Sequence, residues 1–212
     1  MTTNPWLPRP PEPEAAAAQD VVYSAALTGP DRPQQGVPAP DLVDQLPLRR
    51  VAGTADLWVV GAHGGAGEST IAELDDAWAA AAHAWPAVGP GGTAWAVVVA
   101  RTSARGLLAA KAAAKQWATG LVPGVDLLGL VLVSDAPGRL PKPLRDLAKV
   151  ISGGYPRTWQ VPWIEVWRLG DDPSVDAVPR EVRRLVDDLH ALLQAGPNAS
   201  TTNRKDRNDG TA

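Results

Sequence analysis

The sequence predicts a three-layer α/β fold, a mostly parallel sheet with helices on both faces. Two observations carry that expectation. Strand-length apolar runs alternate with segments whose apolar residues recur at helical spacing, the pattern of a parallel sheet wound by crossover helices. The apolar runs are also continuous rather than alternating, as strands buried on both faces require. A chain of 212 residues with 45% hydrophobic content suits one domain of ordinary size plus tails.

Residues 1–48 are rich in Pro and Ala, with PRPPEPE and then GPDRPQQGVPAPD. Prolines this frequent prevent helix and central strand, so the segment reads as a disordered or extended arm. Its end, DLVDQLPLRR, has the composition to dock on the domain or on a partner. The domain proper is read as residues 49–195. Residues 57–62, LWVVGA, form its first strand. Residues 69–85 read as a helix with Ile71, Leu74, Trp78 and Ala82 at helical spacing, ended by Pro86 and the glycines of 89–92.

Residues 93–100 are the second strand. Ser103 then offers an N-cap to an Ala-rich helix through Trp117, closed by Gly120. Residues 125–133 are the third strand. Residues 141–151 make a short helix with Leu144, Leu147, Ala148 and Ile151 inward and Gly153-Gly154 as its stop. Residues 160–169 read as a fourth strand. Pro179 opens the clearest amphipathic helix, with Val182, Leu185, Val186, Leu189, Leu192 and Leu193 on one stripe. The polar tail 196–212 reads as disordered.

Composition limits the function. The net charge of −3 gives no global attraction to nucleic acid, so such binding would need a local patch. The absence of cysteine rules out disulfides and thiolate metal sites, and three scattered histidines argue against a metal centre. No apolar run approaches the ~18 residues of a membrane span. The N-terminus lacks a basic region followed by an apolar stretch, so the expectation is a cytoplasmic protein.

The stretch HGGAGEST, residues 63–70, follows the first strand directly. Glycines between a buried strand and an opening helix let the backbone approach an anion with N–H groups pointing at it. Gly64, Gly65 and Gly67 suit that geometry, and Ser69 lies where a phosphate loop puts its magnesium-binding hydroxyl. The plainer reading is a glycine turn that holds no ligand.

This loop resembles the deviant Walker A motif of ParA/MinD-type ATPases, KGGxGK[ST]. By register, His63 falls at that family's signature lysine, Glu68 at the second lysine and Ser69 at the magnesium ligand. Further along, residues 129–135, GLVLVSD, resemble the strand leading to the family's base-contacting loop, and Gln160-Val161-Pro162-Trp163 its final strand lining the base. The chain resembles more closely the uncharacterised, degenerate members of this class encoded near mobile-element genes in high-GC bacteria. The resemblance covers residues 55–190, and its specific part is the loop.

It implies a reduced P-loop NTPase-like fold. Its nucleotide-contacting positions would be His63, Gly64, Gly65, Ala66, Gly67, Glu68, Ser69, Thr70, Asp135 and Pro162, with ATP and Mg2+ as cofactors and Ser69 as metal ligand. Asp135 also has the form of a displaced Walker B aspartate, although its order in the chain favours the base loop. The family's second strand, with its catalytic Asp, finds no room in the short segment WPAVGPGGT.

Both loop lysines are missing. A unit-charge contact at 4 Å is worth ~1 kcal/mol in water and ~4 kcal/mol at an effective dielectric of 20, so a carboxylate at Glu68 turns attraction into repulsion of that size. Phosphoryl transfer depends on positioned positive charge and loses more. No residue is therefore assigned a catalytic role, and nucleotide binding is expected to be weak or absent. Glu68 is expected to bond the loop's own N–H groups, or to pair with Arg101 or Arg105.

The leading expectation is an impaired ParA/MinD-like protein acting as an adaptor or regulator, in DNA partition, conjugation or another mobile-element process. The alternatives are a divergent ATPase in which Arg101 or Arg105 replaces the lysine, and a nonspecific DNA-binding module. For the last, Arg139, Lys142, Arg145, Lys149 and Arg157 supply positive charge, with Lys142, Arg145 and Lys149 on one helix face; a solvated face is the plainer reading. Trp159, Trp163 and Trp167 would share one face of an extended segment and form a ridge for a protein partner. In a chain without Phe, core packing competes for them. A homodimer is a further expectation. His83, His190 and the pairs Asp75-Asp76 and Asp187-Asp188 read as incidental.

Overall fold

A computed structural model describes residues 27–51, 54–89, 91–170, 173 and 178–196. Residues 1–26 of the arm and the tail from 197 lie outside the described residues. The elements are β1 (Leu48–Arg50), β2 (Leu57–Gly61), α1 (Glu68–Ala72), β3 (Trp78–Ala80), β4 (Trp85–Ala87), β5 (Ala94–Arg101), α2 (Ala104–Ala118), β6 (Val125–Val133), α3 (Lys142–Ser152), β7 (Thr158–Val161), α4 (Glu165–Leu169) and α5 (Arg180–Ala195), preceded by a 3₁₀ turn at Leu42–Asp44.

The main sheet has the order β3-β2-β5-β6-β7, with every neighbouring pair parallel. Alternate residues of its strands serve two cores. Trp58, Val60, Ala96, Val98, Leu130 and Leu132 face Leu107 and Ala110 of α2 and Ala148 and Ile151 of α3. Leu57, Val59, Val97, Val99 and Val131 face Ile71 of α1 and Val182, Leu185 and Leu189 of α5. Helices on both faces are why the strands read as solid apolar runs. The expected α/β architecture with a mostly parallel sheet is present.

Three elements differ from the sequence reading. The helix expected over 69–85 stops after Ala72, where Asp75 Oδ1 accepts the Ala77 N–H at 2.8 Å and turns the chain into β3. A local side-chain-to-backbone bond competes here with helix continuation. Residues 78–87 thus hold β3, on the outer side of β2, and β4. The fourth strand is only Thr158–Val161; residues after it bend through Pro162 into α4.

The arm also differs. From residue 27 it lies along the domain: the Thr28 N–H donates to Pro156 O, the Gln34 N–H to Ala118 O, and β1 pairs with β4. Gln116, buried in α2, accepts the Leu46 N–H at 2.9 Å, donates to Leu46 O at 2.8 Å and accepts the Trp85 indole N–H at 3.0 Å. One amide side chain clamps the strap with all three bonds made.

Candidate functional site

Counted within the main sheet, the strands lie in the order 2-1-3-4-5. After β2 the chain goes out to one side, and it returns to the other side with β5. In open α/β sheets ligands collect outside the carboxyl ends of the strands, where the order reverses. That crevice here is bounded by the loop after β2, the end of β5 at Arg101, and the segments following β6 and β7.

The glycine loop takes up a fixed shape. Gly65 and Gly67 have φ of 73° and 99°, and Gly67 leads into α1. Ala66 is buried in the core, while Gly64 and Gly65 are exposed. His63 Nε2 accepts the Arg101 backbone N–H at 3.1 Å, and Nδ1 lies 2.9 Å from Gly64 O. With Nε2 accepting, Nδ1 is the nitrogen placed to donate to Gly64 O. Its approach depends on Gly106, where a Cβ would sit 2.8 Å from His63 Nε2 and collide with the Arg101 carbonyl.

Glu68 bonds neither the loop's N–H groups nor an arginine, contrary to expectation. Both its oxygens accept the backbone N–H of His83 at 3.2 Å, and Oε2 lies 4.0 Å from His83 Nδ1. The His83 ring in turn contacts Gly61 O through Nδ1 at 2.8 Å. Ala82 and His83 have φ of 55° and 61°, a left-handed pair that non-glycine residues adopt at a cost. The Arg49 guanidinium of β1 donates to Ala82 O at 3.2 Å. Glu68 therefore holds a strained corner against the loop, and His83, read as incidental in a helix, is its partner.

Arg101 lies across the loop. Its Nε donates to Gly65 O at 3.1 Å and its Nη1 to Ser134 O at 3.0 Å. Burial pulls its guanidinium below the usual arginine range; Asp135 opposes the shift, and the positive charge of Arg168 adds a smaller pull in the same direction as burial. Arg105 is exposed in the first turn of α2 and forms no hydrogen bond or ion pair with the loop among the described residues.

Beside the loop is a cleft of about 120 Å³, walled by Gly67, Thr70, Arg101, Ser134, Pro162, Trp163, Trp167 and Arg168. It brings together three positions that the resemblance implied, Gly67, Thr70 and Pro162, and leaves others outside. Ser69 is exposed on α1, and Asp135 is exposed beyond β6, its backbone N–H donating to Thr102 Oγ1 at 3.1 Å. Arg168 was missed: it stands in a segment read as a strand, and only the short helical spacing in EVWRL signals otherwise.

The Trp ridge does not form as one surface, because its three residues do not share a strand. Trp159 is a core residue whose indole donates to Asp188, while Trp163 and Trp167 face the cleft region. On α3, Lys142 pairs with Asp146 at 2.7 Å, and Arg157, half-buried, is influenced by Asp31 and Asp188. Asp75 holds His190 at 2.8 Å, and His190 packs edge-on against Trp78. That contact ties α5 to the turn before β3.

The residues at the loop do not suit magnesium triphosphate: the charged side chain within it is the Glu68 carboxylate, engaged with His83. Among the described residues no group of three His, Asp or Glu side chains is placed to hold a metal ion. No described helix is long and apolar enough to cross a membrane. No curated protein and no solved structure matches the chain. Its residues 55–186, more than half its length, match the DUF6668 family, a family of unknown function, and the chain belongs to that family.

Proposed function

We propose that this chain is a non-hydrolysing relative of ParA/MinD-type ATPases that serves as an adaptor or regulator, in DNA partition, conjugation or another mobile-element process. One observation carries the non-hydrolysing part. The loop position that needs a cation holds Glu68, and its carboxylate is engaged with the His83 N–H rather than facing a substrate. Reversing the charge there removes the positioned positive charge on which phosphoryl transfer depends. The adaptor role rests on resemblance and on an arm that clamps onto the domain.

The nearness of Arg101 to the loop raises a second reading, in which it would leave its carbonyl partners and substitute for the lysine of a divergent ATPase. The test is titration with a fluorescent ATP analogue plus Mg2+, beside a phosphate-release assay, on the parent and on Glu68→Lys. The proposal expects no phosphate release by the parent, and analogue binding only by Glu68→Lys. Micromolar binding by the parent, with phosphate release that falls on Arg101→Gln, would replace it with the second reading.

A further inference from the structure

We propose that the cleft between Arg101 and Arg168 binds an oxyanion carried on a flat apolar group, a phosphomonoester or carboxylate, and that this anion sits beside the glycine loop rather than in it. The inference is independent of whether the loop ever takes a nucleotide.

Charge is the first argument. Two guanidinium groups, one from the end of β5 and one from α4, wall the same cleft of about 120 Å³. Neither forms an ion pair with a carboxylate among the described residues. Asp135 offsets the charge of half-buried Arg101 more than exposed Arg168 opposes it, but without pairing with it, and an oxyanion between the two arginines would be attracted by both. Arginine presents five N–H donors in a planar fork suited to carboxylate and phosphate. Arg101 spends Nε and one Nη1 proton on Gly65 O and Ser134 O, which fixes its plane without neutralising its charge.

Shape and position are the second argument. The cleft lies at the carboxyl ends of β5, β6 and β7, the edge where open α/β sheets bind ligands. Trp163 and Trp167 supply an apolar wall, and the Trp163 indole is steadied by its N–H bond to Glu165 at 2.6 Å. An apolar wall with a few placed polar groups is the usual composition of a small-molecule site. The volume is roughly ten times the ~10–15 Å³ that one water needs, which admits an anion and part of its carrier.

Nothing similar exists within the loop itself. Its own charged side chain, Glu68, is turned to His83, Arg101 reaches it only at the Gly65 carbonyl, and α1 has only five residues.

Isothermal titration of the full chain tests the proposal, with phenyl phosphate, benzoate and inorganic phosphate as probes and no Mg2+. Phenyl phosphate or benzoate should bind saturably, more tightly than inorganic phosphate, and more weakly as salt rises. Arg168→Gln should weaken binding about tenfold or more, the loss expected for one charged hydrogen bond, and leave the melting temperature unchanged because the residue is exposed. Trp163→Leu should erase the preference for the aromatic probes over inorganic phosphate. No saturable heat with any probe, or equal binding by Arg168→Gln, overturns the site. So does binding that requires Mg2+ and is lost in Ser69→Ala, which would move the anion into the loop.

Discussion

Replacing Glu68 tests what the carboxylate does in place of a lysine. Its two oxygens share one donor, the His83 N–H, so the interaction counts as one charge-assisted hydrogen bond. Such bonds contribute about 1.5–3 kcal/mol. At 3.2 Å this one is at the long end of the range, and the side chain is only 13% exposed, so screening removes little. Glu68→Ala should therefore cost about 1.5–2 kcal/mol and leave the His83 N–H without its acceptor. For a domain of this size that lowers the melting temperature by about 3–8 °C. Glu68→Gln keeps an acceptor oxygen and should lose less. Glu68→Lys presents a donor to a donor and should lose at least as much as Ala. Melting followed by circular dichroism ranks the three variants. Melting temperatures within about 1 °C of the parent, or a gain for Glu68→Lys, would refute the latch and return Glu68 to an unexplained substitution in the loop.

Two further outcomes follow from other parts of the fold. Gln116→Leu removes the partner of Leu46 and of the Trp85 indole, and should cost about 3 kcal/mol in urea unfolding while making the strap more sensitive to protease. Burial holds the Asp126 carboxyl above its ordinary value, so its charged form is disfavoured in the fold. Asp126 therefore costs stability at neutral pH, and that cost disappears as pH falls through its raised folded value. Asp126→Asn should melt higher at about pH 7, by a degree or two after allowance for solvent screening, with the gap closing as the pH approaches about 3.

The parts of the fold legible in the sequence are those whose period is set by one dominant environment. β5 and β6 are solid apolar runs because both faces are covered; α2 has its Ser103 cap, α3 and α5 have a proline at their start, and α3 and α5 carry apolar stripes that survive without knowledge of the tertiary contacts. The segment after Ala72 defeated that reasoning. Alanine and tryptophan at helical spacing suggest a longer α1, yet Asp75 caps the Ala77 N–H and Trp78 is buried as a strand residue beside Leu57. The strap was hidden for a related reason. Its prolines do preclude regular structure, but they do not preclude docking, and the residue that clamps it, Gln116, lies 70 positions away. At the site, the glycines and Arg101 could be placed from sequence, whereas the partners of Glu68 and the cation at Arg168 depend on where β3 and α4 fold.

The placement of Arg101 bears on which of the two readings of the loop is the stronger. A lysine in such a loop serves as a mobile cation whose three donors all turn to phosphate oxygens. Arg101 instead gives two donors to backbone carbonyls, at Gly65 and Ser134, which lie on different strand connections. Its backbone N–H is also taken, by His63. To reach into the loop as a lysine does, the guanidinium would have to give up bonds that hold the loop to the end of β6. Turned the other way, towards Arg168, it keeps both bonds and still offers its remaining N–H groups to the cleft. The bonds that fix Arg101 thus count against its service as a substitute lysine and for its service as one wall of an anion site. They also give the loop glycine a role of its own: Gly65, at a φ of 73°, is the residue whose carbonyl holds Arg101 in that position.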